Sequence, residues 1–148
     1  FGGLGIGLVV AAFFHLSAAS QSDPAPDAAV EQTEATAQPW SKEAIAMARA
    51  QGKTVFVNFT AAWCVTCKLN EAVALNTSAV REALASPSVV YLKGDWTKRD
   101  AEIAQELAAH QRAGVPLYLV YRPGETVPQT LPQILNEDIV LNALDGGQ

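Results

Sequence analysis

The chain has 148 residues, of which 49% are hydrophobic and 17% are charged, and its formal net charge is −5 at pH 7. This apolar content can fill the core of one domain of about 100 residues. The acidic balance and the lack of any run of Lys or Arg argue against nucleic acid as a partner.

The first 39 residues divide into two segments of different composition. Residues 1–19 are almost wholly apolar and approach the length of a membrane span, which predicts the end of a transmembrane helix. Small residues at 17–20 would also suit the cleavage site of a signal peptide, although no basic residues precede the run. Residues 20–39 are rich in Asp, Glu, Pro and Ala and predict a flexible acidic linker, or a tail without a role. The domain that follows is expected to be exported or to face a membrane surface.

Residues 40–148 are predicted to form one α/β domain. Ser41 is expected to cap the first helix and Gly52 to end it. The alternation of strands and helices requires parallel strands joined by crossover helices, whereas the closely spaced last two strands require an antiparallel hairpin. A mixed four-stranded sheet flanked by helices meets both requirements. The predicted elements, in chain order, are helix Lys42–Ala50, strand Thr54–Thr60, helices 64–75 and 78–85, strand 89–93, helix 101–110, strands Leu117–Tyr121 and 127–131, and helix 137–144.

Two cysteines, Cys64 and Cys67, are the only ones in the chain, and they lie in the run FVNFTAAWCVTCK between a predicted strand and a predicted helix. At a helix N-terminus, unpaired N–H groups and the positive end of the helix dipole favour a thiolate. The pKa of Cys64 is therefore expected below the value of about 8.5 for a free thiol. Cys67 lies one turn further on the same face, where it can attack a mixed disulfide on Cys64. We therefore predict Cys64 as the attacking thiol and Cys67 as the resolving thiol.

Three other roles for the two cysteines stay open. A zinc site needs a second pair of ligands, but the chain offers no further cysteine and only His15 and His110. A structural disulfide across two residues closes almost no loop and would add little stability. Two inert buried cysteines are the third alternative. Thiol–disulfide exchange is preferred over all three, and no metal is expected.

Residues 40–144 resemble the thioredoxin superfamily through the strand VFVNF, the motif WCVTCK and the Val115-Pro116 pair before the third predicted strand. More narrowly, they are similar to the C-terminal periplasmic thioredoxin-like domain of DsbD-type transmembrane thiol:disulfide interchange proteins. The runs that carry this similarity are AAWCVTCKLNE, GDWTKRD and GVPLYLVYRPG followed by LPQIL. The resemblance implies a thioredoxin fold in which a redox-active Cys64–Cys67 disulfide works without a metal or an organic cofactor.

The resemblance also implies roles for other residues around the dithiol. Trp63 would pack beside the active site, unless it is an ordinary core or interface aromatic. Pro116 would be a cis-proline that faces the dithiol, and Val115 would supply a backbone contact to an incoming chain. Without the resemblance, a trans bond before Pro116 would be expected, because only about 5–6% of X–Pro bonds are cis.

Three polar residues are candidates for tuning the thiols. Glu71 lies two helical turns after Cys64 and resembles an acidic position of the DsbD-type domain, which implies a carboxylate that raises thiol pKa values or accepts a proton. Lys68 could add positive potential near the thiolate, although both residues could also be ordinary solvated helix residues. Asn58 stands where thioredoxins usually carry a buried aspartate, and its amide cannot titrate or act as a general base. Either Glu71 takes over this proton transfer, or exchange at Cys67 is slower and more dependent on pH.

These observations predict a thioredoxin-fold domain in the bacterial periplasm, tethered to the inner membrane by the N-terminal segment. It would relay electrons by thiol–disulfide exchange from a membrane-embedded reductase domain of the same protein to periplasmic thioredoxin-like or disulfide-bearing proteins. One alternative is a free-standing secreted or anchored thioredoxin-like reductase, for example in cytochrome maturation. Another is a binding module whose dithiol holds a soft metal such as Cu(I).

Overall fold

The computed structural model describes residues 2, 3 and 37–147, so the predicted linker up to residue 36 and almost all of the predicted transmembrane segment lie outside it. Among the described residues, no helix is both long and apolar enough to cross a membrane. The elements, in chain order, are β1 Gln38–Pro39, α1 Lys42–Ala50, β2 Thr54–Thr60, α2 Val65–Asn70, a π-helical segment Glu71–Leu75, α3 Ser78–Leu84, β3 Val89–Asp95, α4 Ala101–Ala109, β4 Leu117–Tyr121, β5 Gln129–Thr130 and α5 Glu137–Asp145.

The strands form one mixed sheet in the order β1-β3-β2-β4-β5. Strand β3 pairs in parallel with β1 and β2, whereas β4 pairs antiparallel with β2 and β5. This confirms the predicted mixed α/β sheet, with one strand more than the four expected. The additional strand is Gln38–Pro39, which was predicted as the end of the linker and which pairs with Leu92 and Lys93 of β3. Proline is tolerated in β1 because it lies at the edge of the sheet.

The central strand β2 is covered on both faces, since its side chains alternate between two apolar cores. On the first face, Phe56 packs with Tyr118 and with side chains of the π-helical segment, α3 and α5. On the second face, Val57 and Phe59 pack with side chains of α1 and α4. Six of the seven residues of β2 are buried, so this strand is a rigid support for the segment that follows it.

Side chains cap the first turns of the helices. Ser41, Thr77, Asp100 and Asn136 each accept a backbone N–H at the start of α1, α3, α4 and α5, and the sulfur of Cys64 does the same for α2. These contacts satisfy donors that have no partner inside the helix. The predicted cap at Ser41 is confirmed.

The prediction of a single regular helix over residues 64–75 needs correction. Regular α-helix covers only Val65–Asn70, and the chain continues as the π-helical segment, which closes with a hydrogen bond of 2.8 Å from the N–H of Asn76 to the carbonyl of Glu71. The apolar pattern of a sequence does not distinguish one wide turn from a regular one, because both place apolar side chains on the same face.

Candidate active site

The two cysteines lie where β2 leads into α2. Cys64 and Cys67 form a disulfide with an S–S distance of 2.17 Å and a Cα–Cα distance of 5.2 Å. Cys64 is the N-cap of α2, and its sulfur accepts the N–H of Cys67 at 3.2 Å. The exposed fraction is 6% for Cys64 and 1% for Cys67. An incoming sulfur therefore has access to Cys64 rather than to Cys67.

Val115 and Pro116 lie against the disulfide from the side of β4. The side chain of Val115 packs on the small buried cluster of Ala61, Cys64 and Cys67. The Val115–Pro116 peptide bond is cis, which is the isomer that the resemblance implied, and Pro116 is buried immediately before β4. The structure thus brings together the cysteine motif and the Val-Pro pair, which are about 50 residues apart in the chain.

Trp63 is anchored to the loop that follows β3. Its indole N–H donates to the carbonyl of Thr97 at 3.0 Å, and the Thr97 hydroxyl accepts the N–H of Ala62 at 2.9 Å. The Trp63 ring lies 6.0 Å from the ring of Trp96, and the guanidinium of Arg99 lies over both rings. Trp63 nevertheless remains 47% exposed, so it is a surface aromatic beside the disulfide and not a core residue.

A carboxylate organises this loop. Asp95 accepts hydrogen bonds from the N–H of Thr97 at 2.9 Å and from the Thr97 hydroxyl. The hydroxyl bond is the largest influence that holds the pKa of Asp95 below its ordinary value, and the charges of Lys93 and Lys68 act in the same direction. Asp95 is therefore an ionised loop-forming group at neutral pH.

Glu71 and Lys68 are brought together in an ion pair of 3.2 Å between Oε2 and Nζ. The side chain of Glu71 is 15% exposed and that of Lys68 is 54% exposed. Lys68 also lines a small pocket, together with Lys93 and Asp95, beside the turn that precedes Cys64. Among the hydrogen bonds found in the described residues, neither side chain reaches a sulfur, so their predicted influence on the thiols stays a prediction.

Asn58 is buried inside the sheet, with 1% of its surface exposed. Its amide nitrogen donates to the hydroxyl of Tyr91 at 3.0 Å, whereas its Oδ1 has no hydrogen-bond partner among the described residues. The amide is thus held by a side chain of the neighbouring strand β3. A neutral amide at this buried position avoids the free-energy cost of burying a charge.

Asn70, which sequence reasoning missed, is the most completely bonded polar side chain near the site. Its amide nitrogen donates to the hydroxyl of Tyr118 at 2.9 Å and to the carbonyl of Gln133 at 2.7 Å, and its Oδ1 accepts the N–H of Leu135 at 3.0 Å. Burial, the largest influence, raises the pKa of Tyr118, so this hydroxyl stays protonated. The signal that could have found Asn70 is its spacing of three residues from Cys67, which places it on the inward face of the helix.

Apolar side chains are exposed along α2 and the π-helical segment. Val65 is 83% exposed, Leu69 is 51% exposed and Val73 is 48% exposed. Because they are spaced by four residues, they lie on one face of the helix, and the stripe begins between the two cysteines. Val65 directly follows Cys64 in the chain, so this apolar stripe begins next to the more exposed of the two sulfurs. Within residues 2, 3 and 37–147, no three His, Cys, Asp or Glu side chains are placed to hold a metal ion.

Comparison with known proteins defines the class to which this site belongs. The sequence profile described as Thioredoxin-like matches residues 35–123, and the chain belongs to this family. A disulfide between two cysteines at the start of the helix after the central strand is the redox group of such a fold. The domain is thus a thiol–disulfide oxidoreductase that uses the Cys64–Cys67 disulfide as its redox group.

The curated relatives that match this chain are thiol:disulfide interchange proteins. The chain is 35% identical over 88 residues to the thiol:disulfide interchange protein DsbD of Vibrio cholerae serotype O1, a match that covers 59% of this chain. It is 36% identical over 84 residues to the protein of the same name from Yersinia enterocolitica serotype O:8, covering 56% of this chain. Each match covers only 14% of the relative's length.

Solved structures show the same fold. The C-terminal domain of DsbD from Neisseria meningitidis in its oxidised form has a TM-score of 0.58 at 22% identity, with 76% of this chain and 100% of that chain covered. A thioredoxin from Thermus thermophilus has a TM-score of 0.59 at 19% identity, with 75% of this chain and 86% of that chain covered. These similarities confirm the predicted thioredoxin fold.

Proposed function

We propose that this domain relays electrons between a membrane-embedded reductase domain of its own protein and periplasmic thiol proteins. The observation that carries the proposal is the disulfide at the N-terminus of α2, whose more exposed sulfur belongs to Cys64. The similarity to the thiol:disulfide interchange proteins named DsbD supports this proposal. The bacterial inner membrane and periplasm are the locations that this function requires.

The exchange takes place in two steps. The thiolate of reduced Cys64 attacks one sulfur of a partner disulfide, a Cys64–partner disulfide forms, and the other partner sulfur leaves as a thiolate that takes up a proton. The thiol of Cys67 then loses its proton and attacks the sulfur of Cys64. The Cys64–Cys67 disulfide forms, the partner's second thiolate leaves, and two electrons have passed to the partner. The reverse sequence recharges the domain from its donor.

Three groups are proposed to serve these steps. Trp63 offers an exposed ring beside Cys64 that an incoming chain can cover. Val115, which contacts the disulfide cluster, and the buried cis-Pro116 present the backbone against which a partner segment can align as an added strand. Glu71 is proposed to receive the proton of Cys67, because Asn58 cannot titrate.

The role assignment is tested by trapping a mixed disulfide. The Cys67→Ser chain, reduced and offered a disulfide-linked peptide and then periplasmic extract, should stay bound to its target through Cys64. The Cys64→Ser chain should not, because its remaining sulfur is only 1% exposed. The product is measured on non-reducing gels and by mass spectrometry, with the double variant as control. Equal trapping by both single variants would show that the assignment is wrong.

The proposed role of Glu71 gives a second prediction. A carboxylate near the dithiol disfavours the thiolate, so Glu71→Gln should move the pH midpoint of Cys64 alkylation downward by up to about one unit. The rate of iodoacetamide labelling of the reduced chain measures this midpoint. Glu106→Gln is the matched control. Glu106 on α4 is also 15% exposed, and its Oε1 lies 3.3 Å from Nε2 of His110. An unchanged pH midpoint in Glu71→Gln would show that Glu71 does not influence the thiols.

A further inference from the structure

Arg99 has a position that the proposed exchange reaction does not by itself explain. It lies in the loop between β3 and α4, and its guanidinium carbon is 4.8 Å from the centre of the Trp63 ring and 5.0 Å from that of Trp96. A guanidinium over an aromatic face uses its flat surface for that contact and keeps its N–H donors at its edge. Since Trp63 directly precedes Cys64, the guanidinium of Arg99 lies over the residue next to the more exposed of the two sulfurs.

The carboxylates nearest to Arg99 in the chain have other partners. Asp95 accepts the N–H and the hydroxyl of Thr97, and Asp100 accepts the N–H groups of Glu102 and Ile103 at the start of α4. None of the ion pairs found among the described residues includes Arg99. Arg99 and the neighbouring Lys98 are both exposed. Arg99 is thus an exposed positive charge over Trp63, in a protein whose net charge is −5.

The backbone at Arg99 is unfavourable for the residue that occupies it. Its φ is +56°, in the left-handed region that Gly and Asn adopt most readily. The loop is held by other contacts, since the N–H of Arg99 donates to the carbonyl of Trp96 at 3.0 Å, a bond that any residue other than proline would make. The side chain of Arg99 is thus not explained by the turn, which asparagine would form at lower cost.

We propose that Arg99 recognises the protein partner, by binding an acidic side chain next to the cysteine that reacts with Cys64. This inference rests on the proposed function and names the kind of partner that it serves. The contact with the two indole rings holds the positive charge beside Trp63, and the guanidinium N–H groups can donate two parallel hydrogen bonds to a carboxylate. Partners with a carboxylate beside their disulfide are selected over neutral or basic ones, because opposite charges raise the rate of productive encounter.

The test compares peptide disulfides that differ only in the residue next to the cysteine. Three blocked peptides carry a glutamate, a glutamine or a lysine next to a cysteine and are dimerised through that cysteine. The reduced full chain is mixed with each, and the released peptide thiol is measured after an acid quench. An exposed pair contributes modestly, so the rate constant for the glutamate peptide should exceed that for the lysine peptide by about threefold to tenfold at low salt. Added salt should reduce this ratio.

The variants separate the charge from the fold. Arg99→Gln should bring the glutamate-to-lysine ratio down at least to about half its wild-type value, and Arg99→Lys should retain most of it. Arg99→Asn removes the same charge with a residue that suits the left-handed backbone, so its ratio should fall as well even if Arg99→Gln folds poorly. Arg49→Gln is the matched control, because Arg49 also lies over an aromatic ring, that of Tyr121 at 5.5 Å, at the other end of β2.

Each outcome bears on one hypothesis. Equal rates for the three peptides in the wild type, or an unchanged ratio in both Arg99→Gln and Arg99→Asn, would overturn the recognition role. A ratio that falls equally in Arg49→Gln would overturn it too, since the effect would then come from net charge. The uncharged 2-hydroxyethyl disulfide distinguishes this failure from failure of the proposed function. If the reduced chain does not react with that probe faster than free cysteine does, the exchange activity itself is refuted.

Discussion

Cys64 combines a structural and a chemical role in one side chain. Its sulfur caps α2 by accepting the N–H of Cys67 at 3.2 Å. When the disulfide is reduced, the same N–H faces a sulfur that can carry a full negative charge, and such charge-assisted bonds are stronger than neutral ones. The contact that begins the helix is therefore also a contact that favours the thiolate.

Asp95 illustrates how a single carboxylate shapes the rim of the site. Because the Thr97 hydroxyl bond lowers the pKa of Asp95 in the folded protein, Asp95 contributes stability above its unfolded pKa, near 3.9, and this contribution is lost as the pH falls through the lower folded value. Asp95→Asn should reduce the free energy of unfolding at pH 7 by less than about 1 kcal/mol, since the group is exposed. Below pH 3 the wild type and the variant should converge.

Urea denaturation at both pH values measures this difference. Thr97→Val removes the hydroxyl that Asp95 accepts and also the acceptor of the Ala62 N–H, so this variant should stay less stable than the wild type at both pH values, by a smaller margin below pH 3. A difference between wild type and Asp95→Asn that is the same at pH 7 and below pH 3 would contradict the prediction.

The active-site helix depends on a segment far along the chain. Asn70 ends α2 and bonds Gln133 and Leu135, which lie between β5 and α5. The following π-helical segment keeps Ala74 and Leu75 in the core shared with α5. The position of α2, and with it that of Cys64, is thus determined by contacts that join residues more than 60 positions apart.

Replacement of Asn70 tests this connection. Asn70→Ala leaves the Tyr118 hydroxyl, the Gln133 carbonyl and the Leu135 N–H without this partner, and each buried unpaired group costs roughly 1–3 kcal/mol. The free energy of unfolding should fall by at least about 2 kcal/mol. Asn142→Ala on α5 is the control, since Asn142 is exposed and gains the same helix propensity. Comparable stabilities of the two variants in urea would contradict this account.

The stability of the whole domain depends on close packing between β2 and β3. Gly94 of β3 pairs with Phe59 of β2, and a Cβ at position 94 would lie 2.4 Å from Cδ1 of Phe59. Phe59 is fully buried and its ring meets that of Trp40 edge-on at 5.1 Å. The sheet therefore has no room for a side chain at this position, although glycine is a poor strand former.

Gly94→Ala should accordingly destabilise the domain by about 1–3 kcal/mol, because the buried ring must leave its place. Gly114→Ala is the control, since its Cβ would lie 3.4 Å from Trp96, at ordinary contact distance. Thermal unfolding of both variants measures the contrast. If Gly94→Ala melts with the wild type, the close approach is relieved at no cost and the packing argument fails.

Some features could be predicted from the sequence with accurate bounds. Strand Thr54–Thr60, helix Lys42–Ala50 and the N-cap of the first helix follow from short-range patterns of apolar residues and capping groups. The position of Cys64 at a helix start follows in the same way. The pairing of Gln38–Pro39 with β3 and the π-helical turn after Asn70 have no local pattern, so they were not predicted.

Local chemistry was enough to define the redox group, since a dithiol at the start of a helix depends on neighbours a few residues away. The surroundings of that group depend on contacts across the sheet, which no short window of the chain contains. Thr97, Trp96 and Arg99 reach Trp63 because β3 lies beside β2, and Val115 reaches the cysteines because β4 lies on its other side. Reactivity is thus inherent in the motif, whereas the surface that a partner meets is assembled by the folded sheet.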